Sequence, residues 1–356
     1  MRIGVHLARQ NLQGNGRLNP RLRRQVETVV TVVCISAIVG VGYALAQNRV
    51  TFDLVATSAL HGVGIGLILT LFEISLDREP ARGWMAGLSF TNTLILRSLV
   101  YVLVIVAVHL TIMDVRRRLG GIGGTTGNDL LDTVIFSSAA ALAINFVLQV
   151  SNLLGPRTLF NFFSGRYHEP LQENRFVLFV DIAGSTGLAE RLGGIGIHRF
   201  LDRTFRLLNG PVLDYQGEIL GYVGDELIVT WSEKAGAVDA RPLQCFLSMR
   251  ETLERASARL SREFGAAPRI RGSLNFGPVI VGEIGDIKRA IVFNGDTMNT
   301  AARLEELSRT VDGGFLAARA AIERFETAAP VSLRDLGVLP IRGRTDTIAV
   351  MGLIGA

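Results

Sequence analysis

The spacing of apolar residues divides this chain near its middle. Before residue 155, four long apolar runs follow one another with short polar breaks: Val26–Ala46, Leu54–Leu76, Phe90–Met113 and Leu131–Leu154. At about 1.5 Å per residue, a helix of roughly 20 such residues crosses a hydrocarbon core of about 30 Å. One run could be a buried helix of a soluble protein. Four in succession predict an α-helical membrane domain of about four transmembrane helices.

Beyond residue 174 the apolar runs are short and alternate with helical periodicity. The pattern predicts strands at 175–181, 217–222, 226–231, 270–276, 279–283 and near 290–293. Helices are predicted over 185–208 and 235–263 and from 296, and a hairpin closes the chain. The order βαββαβ is that of a ferredoxin-like α+β domain, an antiparallel sheet with helices on one face. Four segments result: a basic N-terminus (1–25), a transmembrane domain (26–154), a linker (155–174) and a second domain (175–356). The linker carries Phe160, Phe162, Phe163 and Tyr167, and about 20 residues is too short for a long flexible tether. It is expected to couple the two domains mechanically.

Charge sets the expected topology. Arg17, Arg21, Arg23 and Arg24 precede the first run and favour a cytoplasmic N-terminus, so four spans return the chain to the cytoplasm. Arg116-Arg117-Arg118, in the 114–130 loop, oppose this reading, but an odd number of spans would export the second domain. Ala44-Leu45-Ala46 looks like a signal-peptide cleavage site, yet the run before it is long for a signal. Glu73 and Arg97 fall at similar depth on adjacent spans and are expected to pair, because an unpaired intramembrane charge is costly. His61 and His109 share the outer half, where a polar helix–helix contact is the simpler expectation and haem ligation the sharper one. Gly62, Gly64 and Gly66 allow close helix packing. Overall, 48% of residues are apolar, 19% are charged and the net charge is +5. This suits a lipid bilayer surface, while no basic face interleaved with aromatics suggests nucleic acid. Cys34 and Cys245 lie in different domains and imply no disulfide or zinc site. Gly120–Gly127 is glycine-rich but follows no strand, so it does not read as a phosphate loop.

The candidate chemistry lies in three elements. Phe179-Val180-Asp181-Ile182 ends a strand, and Gly184-Ser185-Thr186 opens a helix beside that aspartate. Free N–H groups at a helix N-terminus next to a carboxylate suit a polyphosphate and its metal ion. Val223-Gly224-Asp225-Glu226 reads as a tight hairpin whose tip can bring a second carboxylate. Alone, either aspartate is more often a turn former or helix cap. In the third element, a helix from Asp296 places Asn299 and Arg303 at i and i+4 on one face, fit for a ribose and a phosphate oxygen.

These residues, with Gly277-Pro278-Val279-Ile280-Val281-Gly282 and the closing Arg342-Gly343-Arg344, resemble the catalytic domain of class III nucleotidyl cyclases, the adenylate and guanylate cyclase family. The resemblance covers about half the chain, from Arg175 onward. It implies two magnesium ions per site, replaceable by manganese, held by Asp181, Asp225 and the Ile182 carbonyl. It also implies that Asn299 and Arg303 orient the ribose and stabilise the α-phosphate, that Gly184, Ser185 and Thr186 face the substrate, and that Arg342 meets the terminal phosphates. The implied protein is an adenylate cyclase of the inner cell membrane. Its cytoplasmic catalytic domains form a homodimer whose sites draw metal ligands from one copy and the Asn/Arg pair from the other.

The chain departs from the family where the base is read. Gly221 stands where many members carry lysine, and Val292 where many adenylate-selective members carry Asp or Thr. Lys288 and Arg289 are nearby substitutes, or a solvated hairpin tip. ATP is expected as substrate, with a guanylate cyclase or a degenerate nucleotide-binding receptor as alternatives.

Overall fold

A computed structural model describes residues 20–46, 50–76, 85, 87–118, 127–155, 160–161, 164–287, 289–340 and 347–354. The chain forms two compact units that divide between Leu154 and Gly155.

The first unit contains α1 (Pro20–Leu45), α2 (Phe52–Leu76), α3 (Phe90–Arg118) and α4 (Gly127–Leu154). Each contains a stretch long and apolar enough to cross a membrane: Thr28–Leu45, Phe52–Leu76, Phe90–Val115 and Val134–Ser151. Large apolar side chains point outward, Ile38 and Leu103 each 69% exposed, as expected of helices bathed in lipid. Glycines set the α1–α2 approach. A Cβ on Gly40 would run into the Ser58 carbonyl, and one on Gly62 into that of Ser36. The expected pairing of Glu73 with Arg97 is present. Arg97 donates to Glu73 Oε2 at 2.7 Å, and the Tyr101 hydroxyl donates to Oε1 at 2.5 Å. A second polar contact, Asn145 Nδ2 to Ser98 Oγ at 3.2 Å, ties α4 to α3. Helix α3 extends past the apolar run, and Arg118 pairs with Asp114 at 2.8 Å. Arg17 and most of the glycine-rich 120–127 segment lie outside the described residues.

The second unit contains β1 (Leu171–Ile182), α5 (Ser185–Asp214), β2 (Glu218–Val223), β3 (Glu226–Ser232), α6 (Glu233–Ala237), α7 (Arg241–Phe264), β4 (Ile270–Ile284), β5 (Ala290–Asn294), α8 (Asp296–Ser308), β6 (Phe315–Ala318), α9 (Arg319–Glu323), β7 (Leu333–Pro340) and β8 (Thr347–Leu353). The strand order is β2-β3-β1-β4-β6-β8-β7, with β5 paired to β4. The first four strands are antiparallel in the ferredoxin-like order, as predicted. The β4–β6 contact is parallel, so the whole sheet is mixed.

Alternation along β1 builds two faces. Phe176, Leu178, Val180 and Ile182 meet Phe200, Phe205 and Leu208 of α5 and Phe246, Met249 and Leu253 of α7. Val177 and Phe179 face the other way, toward Val279, Val281 and Ala301 of α8. Helices therefore cover both faces, which corrects the one-sided expectation. Asp181 continues the second series and is brought to the α8 side.

Other differences have local causes. The two strands expected at 270–276 and 279–283 are one. Pro278 interrupts the apolar pattern but not the pairing, since β1 runs in unbroken register alongside. On the far edge of β4, β6 pairs with 272–274 and β5 with 280–284, and Pro278 falls between them, where its missing N–H costs no ladder bond. The helix expected from 235 begins at Arg241, because Asp239 and Ala240 adopt φ of 54° and 48° and break it from α6. Strand β6, four buried residues long, was too short to read from sequence.

Candidate active site

Three backbone features bring the two aspartates together. β1 ends at Ile182, and Gly184, at φ 77°, turns the chain into α5. The hairpin β2–β3 closes through a two-residue turn, Val223 pairing with Glu226, with Gly224 at φ 62°. The Ile182 N–H then donates to the Asp225 carbonyl at 3.3 Å, and Asp181 pairs in register with Glu226. The Ser185 hydroxyl, in the first turn of α5, donates to Asp225 Oδ2. Asp181, Ile182, Ser185 and Asp225 are thus brought into one cluster. Gly184 adjoins it, while Thr186 is exposed on the same helical turn.

Charge around Asp181 is dense. Its side chain is 2% exposed, and Arg271 of β4 donates to Oδ2 at 2.7 Å. Arg309 lies 3.8 Å from the same oxygen and 3.3 Å from Glu305 of α8. Asp181 Oδ1 is buried and has no hydrogen-bond partner. Burial opposes the charge on Asp225, but the hydrogen bond from the Ser185 hydroxyl, with the Arg309 charge nearby, outweighs it and holds the carboxyl below its usual range. Glu226 is shifted upward by burial and by the charges of Asp181 and Asp225. Glu305, fully buried, is pushed up to about 7 by burial and then by Asp181.

A buried carboxylate oxygen without a donor is costly unless a cation meets it. Two carboxylates at a helix N-terminus form an all-oxygen donor set suited to magnesium, which takes one or two carboxylates and fills its other positions with phosphate and water. Among the described residues no group of three or more His, Cys, Asp or Glu side chains gathers as a metal cage. The site therefore fits a metal brought with a polyphosphate better than a closed structural ion.

Asn299 and Arg303 do not join this cluster within the chain. Helix α8 lies along β4, anchored by Asn275 Nδ2 to the Thr297 carbonyl (3.0 Å) and Ser273 Oγ to that of Ala301 (2.6 Å). Glu305 faces Asp181, and Arg303, two residues earlier, lies about 200° around the helix. Asn299 is exposed and Arg303 half-buried. Val292 is farther still. It pairs with Gly282, whereas Asp181 pairs with Arg271, eleven positions back along β4. At about 3.3 Å per position the separation is roughly 35 Å. A Cβ on Gly221 would meet nothing within 4 Å, so packing does not demand glycine there. Arg342 and Lys288 lie outside the described residues.

Residues 168–314 match the family model described as the adenylate and guanylate cyclase catalytic domain. The match lies wholly within the second unit and gives it the catalytic-domain fold of that family. Over 223 residues the chain is 37% identical to Adenylate cyclase 2 of Rhizobium meliloti (strain 1021), covering 63% of this chain and 61% of that protein. It is 25% identical over 180 residues to the adenylate cyclase of Anabaena cylindrica, covering 49% of this chain and 35% of that one. The chain thus spans less than two thirds of either relative. A bacterial light-regulated adenylyl cyclase superposes on it with a TM-score of 0.53 at 18% identity, covering 64% of this chain and 66% of that one, a likeness of fold.

Sequence reasoning missed Arg271, Glu305 and Arg309 in the cyclase domain. The signal for the first was faint: an arginine between Ile270 and Gly272, in a strand otherwise buried.

Proposed function

We propose that this protein is a membrane-anchored adenylate cyclase that converts ATP to 3′,5′-cyclic AMP and pyrophosphate. In this reading residues 155–174 couple the spans to a cytoplasmic catalytic domain. The observation that carries it is the buried Asp181 carboxylate, one oxygen without a donor, beside Asp225 in a cyclase domain. Two magnesium ions, or manganese in their place, would be held by Asp181, Asp225 and the Ile182 carbonyl, and would activate the ribose 3′-hydroxyl and neutralise phosphate charge. Ser185 holds Asp225 in position and favours its ionised form. The first-turn N–H groups at Gly184, Ser185 and Thr186 would receive phosphate oxygens, as the start of a helix commonly does. Arg271 and Arg309 keep the cluster near neutrality before substrate arrives.

Asn299 and Arg303 orient the ribose and stabilise charge on the α-phosphate from a second copy of the chain. Their outward face on α8, and the distance between Val292 and Asp181, support a site shared across a homodimer. Two equivalent sites follow from the two-fold arrangement. Mixing Asp181→Ala chains with Arg303→Ala chains should restore part of the activity, because one site in each mixed dimer escapes both lesions. If mixed dimers form and stay inactive, the shared site is wrong.

ATP is favoured by the similarity to adenylate cyclases. A guanylate cyclase is the second reading, since Gly221 and Val292 offer no polar side chain to a purine. Supplying ATP and GTP separately with manganese and identifying the cyclic product decides between them. Binding without any cyclic product would mean a degenerate nucleotide receptor.

A further inference from the structure

The membrane unit holds a pair of histidines that the cyclase reading does not use. His61 of α2 and His109 of α3 stand with ring centroids 4.9 Å apart and planes inclined by 38°. The two residues are 9% and 4% exposed. Neither ring nitrogen of His109 has a hydrogen-bond partner among the described residues. An imidazole buried with both nitrogens unmatched is disfavoured unless something else binds it.

The surroundings bring the rings together. Gly64 lets α3 come close to α2, since a Cβ there would lie 3.1 Å from Val108 Cγ1, on the residue preceding His109. His61 Nδ1 lies 2.8 Å from the Thr57 carbonyl oxygen. A carbonyl only accepts, so Nδ1 carries the proton and the lone pair is on Nε2. A far nitrogen bonded to a backbone carbonyl is the usual way a metal-ligating histidine is oriented.

We propose that His61 and His109 together bind one transition-metal ion that prefers neutral imidazole nitrogen, of the copper or zinc class. The donor chemistry selects that class, because imidazole suits copper and zinc whereas magnesium takes oxygen. This chain supplies two ligands, as no group of three or more His, Cys, Asp or Glu gathers among the described residues. Small exchangeable donors complete the coordination, and the ion is correspondingly open to exchange. The site stands apart from the nucleotide chemistry and holds whether or not the cyclase reading does.

The test uses the full chain, purified without a polyhistidine tag and placed in lipid nanodiscs. His6, His168 and His198, the other histidines of the sequence, are replaced by alanine. Cu²⁺ is the probe, followed by electron paramagnetic resonance and by metal content. The expected result is one copper per chain with hyperfine coupling to two equivalent imidazole nitrogens, displaced by excess Zn²⁺. His109→Ala and His61→Ala should each leave one coupled nitrogen and weaken binding by about tenfold or more. The proposal is overturned by no bound copper, by one-nitrogen coupling in the parent, or by binding unchanged in His109→Ala. A haem Soret band in the purified protein would also overturn it, in favour of a tetrapyrrole. If a single variant loses helix content, the parent spectrum decides alone: two-nitrogen coupling supports the site, and anything else refutes it.

Discussion

The two faces of the cyclase sheet share the strand β1 and are put to opposite uses. Phe176, Leu178, Val180 and Ile182 enter an apolar core with Trp231, Phe246 and Phe315, all of them nearly inaccessible. The alternate residues Val177 and Phe179 sit in a thinner layer that also buries Arg175, Ser273, Asn275, Asp181 and Glu305. Arg175 is held by Glu173 and Glu218, at 2.9 and 3.0 Å. Burying such groups costs free energy that only hydrogen bonds and opposite charges return. The first face therefore supplies stability and the second places charge, and one residue of offset in β1 separates the roles.

The sharpest way to break this contrast is at Asp181. Asp181→Asn keeps the shape of the side chain and removes its charge. On the proposed mechanism cyclase turnover should fall about a thousandfold or more, measured as cyclic product per minute. The substitution also takes the charged partner from Arg271, so turnover is compared per folded molecule. A variant with near-normal turnover would mean that the second face does not hold the chemistry.

The converse change is on the first face. Phe246→Ala should cost about 3–5 kcal/mol in denaturant unfolding, through lost burial and the cavity left behind. Turnover per folded molecule should remain of the same order. A loss near 1 kcal/mol would show that α7 packs less tightly than its contacts imply.

Glu305 tests the charge on the second face. Its pKa is raised from 4.5 to about 7, so the folded state favours the neutral carboxyl. That contribution is complete below the unfolded pKa and is lost as pH rises toward 7, by up to about 3 kcal/mol. With EDTA present, wild-type stability should fall between pH 4.5 and 7.5. Glu305→Gln should flatten that slope, and an equal slope in both proteins would assign the titration elsewhere.

The smallest effect is expected at Gly221. The open space there accepts a larger side chain. Gly221→Lys should raise kcat/KM for ATP over GTP by roughly tenfold, the worth of one added base contact of about 1–3 kcal/mol. No change in the ratio would mean the position does not face the base.

Much of this was legible because it was local. The four apolar runs, the Glu73–Arg97 pair, the Gly224-Asp225 turn and the strand-to-helix step at Gly184 all depend on residues close in sequence or on plain hydropathy. The charges around Asp181 were not legible. Arg271 and Arg309 reach it only after β4 and α8 have packed, and nothing near Asp181 in sequence announces either. The second helical layer escaped for a similar reason. Asp296–Ser308 is short and only mildly amphipathic, and which face of the sheet it covers is decided by the β4–β5 hairpin before it. Strand β6 took its conformation from the slot beside β4 rather than from its own four residues.

The eleven positions that separate the partners of Asp181 and Val292 along β4 have a consequence in genetics. If the site is shared between copies, a cell expressing equal amounts of a wild-type allele and an Asp181 allele would still have one working centre in every mixed dimer. Such an allele would lower activity in proportion to its dosage and would not poison its partner. Two null alleles, one lesioned at the metal aspartates and the other at Asn299 or Arg303, would rescue one another when expressed together, while two lesioned in the same group would not.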